Sequence, residues 1–86
     1  MRQEAEFFDG AQLDLTYIAK KLREAIKVEA LLTAAGIDYF VEPDSYVGGL
    51  LFRRELTGAF FYVRPADLER THQALLGGRY KPYQIG

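Results

Sequence analysis

Two sets of residues in this sequence have the types and spacing that chemistry can use. The first is Gly48-Gly49 followed by Arg53-Arg54, with Arg64 further along the chain. Glycine lets backbone amides approach an oxyanion closely, and guanidinium groups bind phosphate and carboxylate through paired N–H donors. Gly48, Gly49, Arg53, Arg54 and Arg64 are therefore a candidate anion-binding set. No Walker or dinucleotide spacing surrounds the glycines, and a loop with solvated arginines is the plainer alternative. The second set is Ser45 with His72, the only serine and the only histidine. Ser45 lies in a Pro-Asp-Ser turn rather than a nucleophile elbow, and His72 falls on a helical apolar stripe, where packing explains it first. With one histidine and no cysteine there is no multi-histidine metal site, no thiolate nucleophile and no disulfide framework. Asp67 and Glu69 read as helix-start residues, and Asp38 and Glu42 as the polar members of a strand, so no carboxylate pair asks for acid–base work. The expectation is a non-enzyme with no cofactor and no metal.

The elements that must position these residues follow from periodicity. Leu13 to Lys20 alternates with apolar or aromatic residues at 13, 15, 17 and 19, which predicts a half-buried strand with Ile18 as the exception. Residues 22 to 35 change to helical spacing through Ala25, Val28, Leu31, Leu32 and Ala35, and Gly36 stops the helix. Ile37 to Glu42 alternates again and Pro43-Asp44-Ser45 breaks it. Leu50 to Arg54 and Ala59 to Arg64 read as two strands joined through Glu55-Leu56-Thr57-Gly58. Pro65 opens a second helix, whose stripe is Leu68, His72, Leu75 and Leu76 and whose end is Gly77-Gly78. Arg79 to Gln84 reads as a short edge strand, although Pro82 argues against a central one.

The order predicts an α+β fold, a ferredoxin-like βαββαβ sandwich or close variant, with two helices on one face of an antiparallel sheet and an extra hairpin strand near 50–54. Residues 1–12 read as an N-terminal tail or short helical turn whose Phe7-Phe8 pair could dock, and residues 13–86 as one α+β domain. Period-two parity sends Ile37, Tyr39, Val41, Ala59, Phe61 and Val63 toward the helices. It leaves Phe40, Phe60 and Tyr62 on the other face, with Asp38, Glu42 and Arg64. Three aromatics on a face that should be wet mark a candidate interaction face, covered by Phe7-Phe8, by the 50–54 hairpin or by a second copy of the chain.

Composition bounds the partners. The 86 residues are 49% hydrophobic and 27% charged, with a formal net charge of -1. Such a chain has material for one core and no global field for nucleic acid or an anionic membrane. The opening residues lack a signal-peptide apolar run and no stretch approaches a membrane span, so the expected location is the cytoplasm. The expected partners are a second copy in a homodimer and an unidentified protein or small molecule, with no membrane partner and nucleic acid disfavoured.

Two resemblances bear on function. Arg53 to Val63 resembles the glycine-then-aromatics strand of RNA-recognition motifs, except that Ala59 stands where that motif has an aromatic and Phe60 where it has a small residue. The run Glu24 to Ile37, with its leucine-rich helix end and Ala-Gly-Ile turn, and the run Tyr62 to Thr71, with its Val-Arg-Pro and acidic helix start, resemble a family of small prokaryotic proteins described as signal-transducing and of unknown function. The likeness spans roughly Leu13 to Gly78. It implies a ferredoxin-like or related fold, the bacterial cytoplasm, and no established catalytic residues.

Overall fold

The computed structural model describes residues 1–48 and 54–83. Its strands are β1 (Asp14–Ala19), β2 (Tyr39–Gly48) and β3 (Arg54–Val63), and its helices are α1 (Leu22–Ala34) and α2 (Leu68–Gly77). Short 3-10 turns occupy Ala5–Phe8 and Pro65–Asp67. The sheet order is β1-β3-β2 with both pairs antiparallel, so the protein is α+β, a three-stranded antiparallel sheet with two helices. No helix among the described residues is long and apolar enough to cross a membrane.

One core lies between the sheet and the helices. Ala25, Val28 and Leu32 of α1 and Leu75 of α2 pack on Ala19, Ile37, Tyr39, Phe61 and Val63, with Val41 and Ala59 against the cluster. This is the set that strand parity sends to the helical side. Tyr39 and Phe61, neighbours across the β2–β3 ladder, have ring centroids 5.8 Å apart. The Tyr39 hydroxyl is carried out of the core by donating to the Glu29 carboxylate at 3.0 Å, which satisfies the one polar atom of a ring that is 1% exposed.

The strands depart from the periodic expectation in three places. Pro43 does not break β2, which pairs with β3 without a shift from Tyr39 opposite Val63 to Gly48 opposite Arg54. The Tyr39 N–H and C=O bond the Met1 C=O and the Gln3 N–H on the outer edge. Residues two and four along from Tyr39 face the same way, so the N–H that Pro43 lacks would have pointed away from β3. The connection expected at Glu55–Gly58 is instead part of β3. Of the extra strand expected near 50–54, residues 50–53 lie outside the described residues and Arg54 opens β3. In β1, the register slips between Leu15 and Tyr17, so that Leu15 faces Tyr62 and Tyr17 faces Phe61. This bulge at Thr16 inverts the parity halfway along the strand, which is why Ile18 broke the alternation.

Residues 1–12 and the segment leading to Tyr83 both run beside the sheet. Residues 1–12 make the short helical turn, and its Phe8 is 4% exposed. Arg2 bridges Tyr39 in parallel on the β2 edge, and the Met1 ammonium donates to the Ile37 carbonyl. Beyond β1, the Tyr83 N–H donates to the Thr16 carbonyl at 2.7 Å. No strand forms over the described part of the edge segment expected at 79–84, where Pro82 removes one of the donors a ladder needs.

The helix ends separate packing glycines from conformational ones. Gly36 sits at φ +72°, and Ile37 N–H to Leu32 C=O with Gly36 N–H to Thr33 C=O closes a Schellman motif. At α2 the same motif uses Tyr80 N–H to Leu75 C=O and Arg79 N–H to Leu76 C=O. The left-handed residue there is Arg79 at φ 67°, not Gly77 or Gly78 as the sequence suggests. Gly78 is held by contact: a Cβ there would collide with Leu31 Cδ1 and lie 3.1 Å from Cδ2. The α2 stripe also differs, because Thr71 is buried and Leu76 is 54% exposed. Gly78→Ala should lower stability by less than about 1 kcal/mol, since the Cβ meets the tip of a half-buried Leu31 side chain that can turn aside. Gly77→Ala, whose Cβ meets nothing within 4 Å, should raise it by about 0.5–1 kcal/mol through helix propensity. Arg79→Gly should give a gain below about 1 kcal/mol, since relief of left-handed strain is offset by unfolded-chain entropy. Urea midpoints of the three variants check the order.

Candidate functional site

The face of the sheet away from the helices carries Leu15 and Ile18 from β1, Phe60 and Tyr62 from β3, and Phe40 and Glu42 from β2, as the pairings Leu15 with Tyr62, Ile18 with Phe60, Phe40 with Tyr62 and Glu42 with Phe60 require. Phe40 and Tyr62 are half-buried, and their rings stand 6.1 Å apart. Phe60 differs from them at 8% exposed. It is buried yet stands outside the core cluster between sheet and helices.

Two recesses divide this face. On the β2 side, Phe40, Glu42 and Tyr62 line a shallow one closed by Ala11 and Leu13, where the N-terminal segment passes toward β1. Burial and then the charges of Glu42 and Asp44 hold the Tyr62 hydroxyl above the usual tyrosine range, so the aromatic pair sits in a negative surrounding. On the β1 side lies a larger cleft of about 610 Å³, with Leu15, Ile18 and Phe60 as its apolar part. Lys20, Glu24 and Lys81 supply its charges, and Tyr17, Ser45 and Tyr83 complete the lining. Glu24 is engaged: its carboxylate accepts the Lys20 N–H at 3.3 Å. Burial, and then a hydrogen bond to Glu24, raise the Tyr17 hydroxyl well above its ordinary value. Tyr17 also meets Tyr80 edge-on at 5.7 Å between ring centroids.

Of the arginine–glycine set, the structure places Arg64 away from Gly48 and Arg54. The Arg64 guanidinium lies 5.1 Å from the centroids of both Phe7 and Phe8, a cation–π clamp that fixes the N-terminal turn. Arg54 opens β3 opposite Gly48, while Arg64 follows its other end. At about 3.3 Å per residue the two backbones are about 30 Å apart. Gly49 and Arg53 lie outside the described residues. Ser45 is an exposed residue of β2 at the cleft. His72 Nε2 is buried on α2 without a hydrogen-bond partner, so no hydrogen bond through that nitrogen links it to Ser45. Among the described residues, no three His, Cys, Asp or Glu side chains are grouped as a metal ion would need.

The cleft was not legible in the sequence. Its apolar part depends on the Thr16 bulge, which turns Leu15 and Ile18 to the same face as Phe60, and Lys81 is brought to it between Tyr80, which packs on Tyr17, and Tyr83, whose N–H donates to the Thr16 carbonyl. The one local signal was the broken alternation at Ile18. Comparison with protein-family models, curated proteins and solved structures finds no match to the chain.

Proposed function

We propose that this protein is a non-catalytic regulatory or interaction module that self-associates through the Phe40–Tyr62 half of its open sheet face. The observation that carries the reading is the half-buried aromatic pair, 6.1 Å between centroids, on the face away from α1 and α2. Phe60 is not part of the contact in this reading, because it is buried within its own chain. The antiparallel order β1-β3-β2 and the position of Tyr83 beside β1 support a ferredoxin-like variant whose fourth strand is reduced to an extended segment. That fold hosts many activities, so the regulatory role rests on the resemblance to small prokaryotic signal-transducing proteins, and so does the bacterial cytoplasm as its place.

A two-fold contact through this face brings together two copies of Glu42 and Asp44, which repel. Self-association should therefore strengthen as salt is raised from about 50 to about 500 mM, the reverse of a contact held by surface ion pairs. Sedimentation equilibrium over a concentration series is the measurement. Phe40→Asp with Tyr62→Asp should weaken the dimer at least about ten-fold, as expected for aromatic anchors at the centre of an interface. An unchanged mass, or a monomer at every concentration for the unaltered chain, would remove the basis of the proposal.

The cleft favours a second reading, a small-ligand sensor. In it, anion recognition moves from the arginine–glycine set to Lys20 and Lys81, which line a cleft large enough for a small molecule.

A further inference from the structure

We infer that the cleft astride β1 binds a small amphiphilic monocarboxylate, an alkyl or aryl acid, with its apolar body on Leu15, Ile18 and Phe60 and its carboxylate toward Lys81. The inference deepens the sensor reading and does not depend on self-association, since every lining residue belongs to one chain and none is Phe40 or Tyr62.

Shape and polarity give the class. About 610 Å³ lies in the range of sites that enclose small ligands rather than ions or peptides. Phe60 is 8% exposed and faces the same side as Leu15 and Ile18, so the apolar part of the cleft is a surface held in place by the strand pairing. Tyr83, 40% exposed, adds an aromatic wall from the C-terminal segment.

Charge gives the headgroup. Among the described residues the charged lining is Lys20, Glu24 and Lys81; Glu24 is engaged by its own chain, and Lys81 is the exposed ammonium offered to a ligand. One such ammonium complements a monoanion. A dianion would bring its second charge against Glu24, and a neutral molecule would leave the Lys81 ammonium without recompense for lost water. The Tyr17 hydroxyl stays protonated at neutral pH and is directed to Glu24, so it adds no charge and keeps that carboxylate turned to its own chain. The cleft is thereby distinct from the Phe40–Tyr62 recess, whose acids would repel the same ligand.

The test is titration of the isotopically labelled full chain with sodium decanoate, decanol and disodium decanedioate, followed by amide chemical shifts. Decanoate should saturate with shifts centred on Ile18, Ser45 and Tyr83, and decanol and decanedioate should each bind about five-fold more weakly, the scale of one partly exposed charge pair. Phe60→Ala removes part of the cleft but also endangers folding, so the surface change Lys81→Glu is the decisive variant. It should weaken decanoate about five-fold and leave decanol unchanged. Equal affinity for decanoate and decanol would overturn the inference. So would shifts centred on Leu22 and Ile26, the exposed apolar pair of α1, or a titration that does not saturate. Binding of decanoate by the Phe40→Asp, Tyr62→Asp variant as well as by the unaltered chain would show that this site and self-association stand or fall separately.

Discussion

Phe61→Ala should lower the melting temperature sharply. Phe61 is 0% exposed near the C-terminal end of the central strand, with Tyr17 opposite it in β1, Val41 opposite it in β2 and the Tyr39 ring 5.8 Å away. Truncating a buried phenylalanine costs about 3–5 kcal/mol, the sum of lost transfer energy and the cavity left behind. A domain of this length has a total stability of roughly 4–13 kcal/mol, so the change removes between about a quarter and all of it. Circular dichroism melts of Phe61→Ala against Phe40→Ala give the comparison. Phe40 is only half-buried on the other face, and its truncation should shift the melt by less than half as much. Equal shifts would mean that the two faces contribute alike and that the assignment of the core is wrong.

Alkaline pH should destabilise the protein from about pH 10 upward, and Tyr39 should account for a large part of the effect. Burial is the main cause that raises its hydroxyl above the ordinary tyrosine value, with the Glu29 hydrogen bond and charge acting in the same sense and the Thr33 contact and Arg2 against it. A tyrosine in the unfolded chain ionises near pH 10, whereas the folded one keeps its proton to higher pH. Between those values the folded state binds more protons than the unfolded state, so stability falls as pH rises. The contribution is fully present below about pH 10 and is lost toward the folded-state value, at up to about 1.4 kcal/mol per pH unit for this one group. Tyr17 and Tyr62 are shifted the same way, Tyr17 the furthest of the three, and they add to the fall. Urea midpoints measured at about pH 8, 10 and 11 should be level and then fall, and in Tyr39→Phe the fall should be shallower. Parallel curves for the two proteins would show that Tyr39 does not titrate differently on folding.

The helix–sheet side of the molecule was the more legible half. Ile37, Tyr39, Phe61 and Val63 lie in the core where period-two parity puts them, and Ala25, Val28 and Leu32 face them at helical spacing. Gly36 ends α1 for a reason visible in its residue type, since a left-handed C′ position selects glycine. The open face was legible only in part. Parity separates Phe40 and Tyr62 from the core, but the burial of Phe60 depends on Leu15 and Ile18, and these share its face only because Thr16 is a bulge.

What the sequence determined by itself is therefore everything carried by local period and local backbone chemistry: the α+β class, the two helices, the core face of two strands and the glycine stop after α1. Tertiary structure alone decided what depends on partners far along the chain. Pro43 stays in β2 because its missing donor faces the outer edge, Gly78 lies against the Leu31 side chain of another helix, and Arg64 stands over the rings of Phe7 and Phe8. The cleft gathers Ile18, Ser45, Phe60 and Lys81 from four separate segments. Periodicity reports which side of its own element a residue faces, whereas register, bulges and edge pairing settle which elements meet, and their energies arise from contacts that no local window of sequence contains.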